Sequence, residues 1–354
     1  MTSKTYSISL KLLGEMSQLP DSQKIFGAIC YAYADMYGHG IVGEFTKAVK
    51  NKQIDIAISN ILPKGLLPVP KSYILRKHGG EDKDVYQELK KRDFADGEQI
   101  KKFIKNPKEI LNDTGDYAFL EPYQQAHNNT EGRESEPFSV LRTVCFKHSS
   151  RGEGDKGNEV CREFEFFFRC EFLEQNKNHS NEESSQNHSS NILGLLKKGK
   201  ILTLGRLSSQ GYNLFEITSQ TPCDKDFEYS GETTVYLNLG MLLPDDINYS
   251  FGSKNKIGSS LDLFTSERRP YAPQAWKPNE HEGWFISFIA PGSVVVMQQN
   301  RTVAALSKCI YCKKWNDMPG EVKSDAPGGT ADAVDDESRL LFGNAVLLPI
   351  EGWC

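Results

Sequence analysis

Positive charge is in short supply in this sequence: 42 Lys and Arg stand against 47 Asp and Glu in 354 residues, a formal net charge of -5. A nucleic-acid coat spread over the whole surface needs an excess of cations, so any contact with a polyanion must be local. Long apolar runs are also missing, and none approaches the roughly 20 residues needed to span a bilayer. The opening residues, Met1 to Leu13, alternate apolar and polar side chains where a secretory leader would run apolar, so a soluble, cytoplasmic protein is expected, with no membrane partner. Cysteine is scattered (Cys30, Cys145, Cys161, Cys170, Cys223, Cys309, Cys312, Cys354) and often sits inside apolar strand patterns, which suits reduced core thiols better than a disulfide framework. Cys309 and Cys312 have metal-knuckle spacing, but no second Cys or His pair stands nearby, so both read as structural and no metal or cofactor is expected. No repeat of 20 to 50 residues is visible.

What is present is material for a packed core, with 38% hydrophobic residues. Tyr6, Ile8, Leu10 and Leu12 alternate with polar residues and predict a strand. After Leu19-Pro20, Asp21 or Ser22 can cap a helix whose apolar positions Ile25, Phe26, Ile29, Tyr33, Met36 and Tyr37 recur at three and four residues, ending at Gly38 and Gly40. A short helix over 44–51 and a strand at Ile54, Ile56 and Ile58 follow. From Val160 to Leu173, Phe164, Phe166, Phe168, Cys170 and Phe172 line one face of a strand, with Glu163, Glu165, Arg169 and Glu171 mostly on the other. Further strands are predicted at 201–204, 214–217, 233–239, 284–289, 294–298 and 345–348. Strands outnumber long helices, so an α+β fold with antiparallel sheets is expected, and two ferredoxin-like (RRM-like) domains with inserted loops and hairpins fit the count.

Two segments look flexible. Residues 176–191 contain no apolar side chain to offset the entropy of ordering, and 315–337 hold seven acids, one base, two prolines and three glycines. Positive charge is concentrated in 64–108, which carries twelve bases and seven acids. Such a segment either contacts phosphates, with Lys71 and Arg76 among the candidates, or is the solvated face of a helix around 89–104. The stretch Gly205-Arg206-Leu207-Ser208-Ser209-Gln210-Gly211-Tyr212 is the second feature. Its glycines let backbone N–H groups approach phosphate oxygens and an aromatic follows that can stack on a base, although a plain connecting turn has the same composition. It is no Walker loop, because no Gly-Lys-Ser/Thr closes it ahead of a helix. Arg268-Arg269-Pro270-Tyr271 with Trp276 suits either RNA or a protein partner. Asp245-Asp246 and the acids at 332–337 read as solvated charge.

In their order along the chain, several motifs resemble one family. They are the opening strand, the run Leu19-Pro20-Asp21-Ser22-Gln23-Lys24-Ile25-Phe26-Gly27-Ala28, Leu67-Pro68-Val69-Pro70-Lys71 ahead of the basic Leu89-Lys90-Lys91-Arg92-Asp93-Phe94, His127-Asn128-Asn129 ahead of the phenylalanine strand, and the glycine loop. Together they are similar to the RAMP-superfamily subunit of type III-A (Csm) CRISPR effector complexes that holds the 5′ end of the guide RNA. The resemblance covers residues 6 to about 217. It implies a non-catalytic subunit with two ferredoxin-like domains that binds the repeat-derived 5′ tag of the CRISPR RNA, anchors the large polymerase-cyclase subunit and contacts the backbone RAMP subunits. The expected division is an N-terminal domain over 1–125, an inserted hairpin and strand region over 126–175, a loop over 176–191 and a C-terminal domain over 192–354.

By position, the resemblance implies that Gly205, Arg206, Ser208, Ser209, Gly211 and Tyr212 cradle tag phosphates. It places Ser22 and Lys24 at a helix N-terminus open to an anion, and His127, Asn128 and Arg133 in a segment leading to a hairpin that contacts the tag. Asn213 stands where family loops usually carry a glycine and tolerates left-handed backbone angles. Alternatives within the superfamily are the equivalent subunit of another type III branch and a guide-processing, metal-independent endoribonuclease. The latter would use His39 as general base, whereas a helix-terminal His satisfying the last carbonyls is the structural explanation.

Overall fold

The computed structural model describes residues 4–78, 82–128, 137–149, 157–172, 191–205, 207–223, 227, 234–244, 258–268, 284–297, 308–311 and 340–353. Residues 176–190 of the expected flexible loop, the acidic stretch 315–337, Arg133, Arg206, Asp245, Asp246, Arg269, Tyr271, Trp276 and Cys312 lie outside them.

The first strand, β1 (Lys4–Leu12), buries Ile8, Leu10 and Leu12 on one face as its alternation predicts. Its polar positions Thr5, Ser7 and Ser9 are buried too, because β1 becomes a central strand covered on both sides. Helix α1 (Ser22–Tyr37) begins where the Asp21 carboxylate accepts the Lys24 N–H at 3.0 Å, and it stops at Gly38, whose φ of +89° suits glycine. Phe26 on its buried face stacks on Phe342 at 4.2 Å. Helix α2 (His39–Lys50) starts five residues before the expected one, with Phe45 and Val49 in the core. It leads to β2 (Ile54–Ile58), every residue of which is buried.

A long insertion follows. It runs through β3 (Leu62–Pro63), β4 (Leu67–Pro68), α3 (Lys71–His78), α4 (Lys83–Lys91), β5 (Phe94–Ala95) and α5 (Gly97–Lys105), the last opened by a capping box between Asp96 and Gln99. The 89–104 region is therefore two helices broken by a short strand. A hairpin of two twelve-residue strands, β6 (Tyr117–Asn128) and β7 (Pro137–His148), then joins β8 (Asn158–Val160) in a five-stranded sheet ordered β4-β5-β6-β7-β8.

The chain returns to the first sheet with β9 (Glu163–Phe172), where Phe164, Phe166 and Phe168 are fully buried as predicted. Arg169, expected on the polar face, is buried as well and pairs with Asp55 at 3.1 Å. After a helix at 191–195 come β10 (Ile201–Thr203) and β11 (Leu214–Pro222). The sheet order is β10-β11-β1-β9-β2, with β3 also paired to β9 and all named pairs antiparallel. Strands β1, β2, β9 and β11 thus form two interleaved β-α-β units, the ferredoxin-like arrangement, with the 59–162 insertion between its second and third strands. This sheet draws strands from residues 4 to 222, across the boundaries expected at 125 and 192. The glycine loop connects two strands of this sheet.

The remaining strands are β12 (Val235–Asn238), β13 (Leu263–Arg268), β14 (Trp284–Ile289), β15 (Val294–Val296), β16 (Ile310–Tyr311), β17 (Leu340–Leu341) and β18 (Leu347–Pro349). They form a three-stranded sheet β15-β12-β18 and the pairs β13-β14 and β16-β17. The architecture is α+β with antiparallel sheets, as the sequence predicts. Among the described residues no helix is long and apolar enough to cross a membrane, and no three metal-ligating side chains converge. None of the six described cysteines is in a disulfide, and burial pushes the Cys309 thiol up to about 12.

Candidate nucleic-acid interface

The loop from Gly205 to Asn213 joins β10 to β11. Residues 208–210 make one tight helical turn, entered through Leu207 at φ +65° and left through Gly211 at φ +83°. The N–H groups of Gln210, Gly211 and Tyr212 bond to Leu207 and Ser208 carbonyls within the turn, and that of Asn213 bonds to the Glu15 carbonyl at 2.7 Å. Amides offered to a phosphate must therefore come from the leading half of the loop, where Ser208 and Ser209 stand. Tyr212, expected to stack on a base, is instead only 6% exposed. Its hydroxyl lies 3.5 Å from Gln125 Oε1, which ties the loop to the β6-β7 hairpin.

Asn213 closes the loop. It adopts φ +57°, the left-handed angle anticipated for it, and is 1% exposed. Its Oδ1 accepts the Ser17 N–H at 3.0 Å, its Nδ2 lies 3.1 Å from Ser17 Oγ, and its carbonyl accepts the Leu204 N–H at 2.9 Å. Asn213→Ala should lower stability by about 1–3 kcal/mol, because it strands the half-buried Ser17 N–H and puts alanine in a left-handed site. Asn213→Gly should recover the backbone part alone, and denaturant midpoints of the two variants separate these contributions.

The connection from β1 to α1 holds the parts together. Gly14 passes so close to the loop that an added Cβ would fall 2.0 Å from the Gly211 carbonyl oxygen. Glu15 pairs with Arg142 of β7 at 2.7 Å, and Thr143 bonds to the carbonyls of Met16 and Ser17 through its N–H and hydroxyl. Glycine loop, α1 entrance and hairpin are thereby fastened to one five-residue stretch. His127 and Asn128 are the last residues of β6, opposite Phe138 and Pro137, two and three positions beyond Gln125.

Between α1 and the loop lies a cavity of about 900 Å³, lined by Gln23, Lys24, Gly27 and Tyr31 of α1, Thr203 and Gly205 of the loop side, and Phe264 and Ser266 of β13. The structure therefore brings Lys24 and Gly205 to one groove. Ser22 stays outside it: it is fully buried, its N–H donates to Asn60 Oδ1 at 2.9 Å and its hydroxyl accepts the Met241 N–H at 3.0 Å. With Asp21 capping the next turn, the α1 N-terminus already has its own acceptors, and the expected anion site there is closed.

Part of the basic segment is consumed within the protein. Lys71 pairs with Asp93 at 2.7 Å, and Arg76 donates to the carbonyls of Gly258 and Ser259. Arg92 is buried against Asp113 with its guanidinium 4.5 Å from the centre of the Tyr117 ring. These contacts tie Lys71, Arg76 and Arg92 into the fold, which is neither a phosphate contact nor the solvated face of a helix over 89–104, and charge counting alone cannot see them. His39 is exposed and opens α2, while the α1 carbonyl of Ala34 is satisfied by the Gly38 N–H, so the helix-terminal role expected for the imidazole is filled by backbone. Gly14, Ser17 and Gln23 were not legible as site residues, since a single glycine after a strand and a glutamine in the first turn of a helix are common to many sequences.

No protein-family model matches the chain, and no curated protein matches it by sequence. Among solved structures, the chain is similar to the Csm4 chain of a Csm3-Csm4 subcomplex of the type III-A CRISPR-Cas interference complex, at 13% identity over 98% of this chain and 99% of that one, with a TM-score of 0.52. A Csm1-Csm4 cassette in complex with AMPPNP gives 15% identity over 98% of both chains, with a TM-score of 0.44.

Proposed function

We propose that this protein is the RAMP subunit of a type III-A CRISPR effector complex that holds the repeat-derived 5′ tag of the CRISPR RNA, without a catalytic role of its own. The observation that carries this reading is the fastening of the glycine loop, the α1 entrance and the middle of the β6-β7 hairpin to residues 13–17, which sets the glycine turn beside a groove of about 900 Å³. Its fold, shared with the Csm4 chain above, supports it. In this reading Gly205, Ser208, Ser209 and Gly211 present the turn to tag phosphates, Lys24 faces the same groove, and a second ferredoxin-like unit is built around β12, β15 and β18. The large polymerase-cyclase subunit and the backbone RAMP subunits are the protein partners.

Gly211→Asp tests it. The substitution puts an anion on the loop; nothing lies within 4 Å of the added Cβ, but φ +83° strains any side chain there, so Gly211→Asn, of the same size and uncharged, is the control. The assembled complex should lose most of its guide RNA, or carry RNA with ragged 5′ ends on sequencing. Unchanged RNA content with uniform 5′ ends would overturn the loop assignment.

A further inference from the structure

Two cysteines meet where β8 leaves the second sheet. The ladder of β7 and β8 pairs Phe146 with Val160, so the next rung sets Cys145 opposite Cys161, and the Cys161 N–H donates to the Cys145 carbonyl at 2.8 Å. Residues directly opposite in an antiparallel ladder stand about 4.5–5.5 Å apart at Cα. That separation lies inside the span of about 4.4–6.8 Å that a disulfide bridges. The side chains meet as well, since the Cys145 thiol hydrogen-bonds to Cys161, whose own Sγ donates to the Glu163 carbonyl at 3.1 Å. Cys145 is 1% exposed, Cys161 is half-buried, and both line a cavity of about 280 Å³. A reagent therefore reaches Cys161 first. The bond from Cys145 holds the Cys161 thiol below its ordinary range although burial opposes it, which favours the reactive thiolate. Cys30 and Cys309 also lie near each other, but both are buried and burial pushes both thiols up.

We propose that Cys145 and Cys161 form a reversible disulfide that locks the β1-α1 connection in place. Thr143, two residues before Cys145, bonds to the Met16 and Ser17 carbonyls. Arg162, next to Cys161, donates to the Gly14 carbonyl at 2.7 Å, and its own carbonyl accepts the Leu12 N–H at 2.9 Å. The sulfur bridge thus joins the two segments that grip this connection. With glutathione disulfide as oxidant, the Cys161 thiolate attacks one of its sulfurs and expels a glutathione thiolate. Cys145 then attacks Cys161 Sγ in the mixed disulfide and expels the second, and each departing thiolate takes up the proton its attacking cysteine gave up. Two protein thiols are oxidised and one glutathione disulfide is reduced to two glutathiones. The inference is independent of the RNA-binding reading, and its failure would leave that reading untouched.

The test incubates the full chain with glutathione disulfide, alkylates the remaining thiols and digests with trypsin without reduction. Mass spectrometry should find the tryptic peptides 143–147 and 157–162 joined and two hydrogens lighter than their sum, and dithiothreitol should part them. The oxidised protein should melt about 3–6 °C higher than the reduced one, because the bridge closes a loop of about 16 residues in the unfolded chain. The melting temperature of Cys161→Ser should not respond to the oxidant. Absence of the joined peptides, a glutathione adduct that stays on Cys161, or Cys145 joined chiefly to another cysteine would overturn the proposal. Joined peptides without a rise in melting temperature, or an equal rise in Cys161→Ser, would overturn the locking of the connection.

Discussion

Gly14→Val is expected to unseat the glycine loop, lowering stability by about 3 kcal/mol and stripping the assembled complex of its guide RNA. The reason is space alone. A Cβ at this position would fall 2.0 Å from the Gly211 carbonyl oxygen, and backbone cannot swing aside as a flexible side chain can. Either the β1-α1 connection or the loop must move, and each movement breaks the Asn213 bonds to Glu15 and Ser17. Gly43→Ala is the matched control. It lies within α2 with nothing within 4 Å of its added Cβ, so it should be neutral or stabilise by up to about 1 kcal/mol through a smaller loss of chain entropy. Denaturant midpoints together with RNA content read both variants. A Gly14→Val protein of wild-type stability and RNA content would show that the two segments do not touch.

Arg92→Met should destabilise the chain by about 3–5 kcal/mol, because it leaves a buried carboxylate without its counter-charge. Arg92 and Asp113 side chains are only 5% and 11% exposed. Gln99 Nε2 and the Gly115 N–H also bond to the Asp113 carboxylate, so the group cannot turn out to water without losing them. The arginine further contributes its cation–π contact with Tyr117. The double change Arg92→Met with Asp113→Leu should regain much of the loss, since removing both charges removes the desolvation cost as well. A double variant no more stable than the single one would assign the effect to lost packing.

Local signals were legible where they act locally. The alternation of β1, the Asp21 cap of α1, the phenylalanine face of β9 and the left-handed tolerance of Asn213 could all be read from neighbours in sequence. Partners far along the chain could not. Nothing near Glu163 or Leu214 says that those strands flank β1, so a boundary near 125 looked reasonable although the sheet crosses it. The same limit explains the site. Tyr212 looked available to a base because its burial depends on Gln125 and the β1-α1 connection, and Ser22 looked open to an anion because Asn60 and Met241, which occupy its polar atoms, come from remote segments. Lys71, Arg76 and Arg92 counted as free charge until their partners were placed.

The strand order of the first sheet also governs how the chain can fold during synthesis. β1 leaves the ribosome first, yet both of its neighbours come late, and β11 is complete only at Pro222. At about 5–20 residues per second, the apolar face of Ile8, Leu10 and Leu12 waits roughly 10–40 s for its partners. During that interval it is an unpaired edge open to other nascent chains. A protein with this order gains from holding β1 against the already emerged α1, whose amphipathic face carries Phe26 and Ile29. Slowed translation after residue 222 should raise soluble yield, whereas slowed translation before residue 163 should lower it.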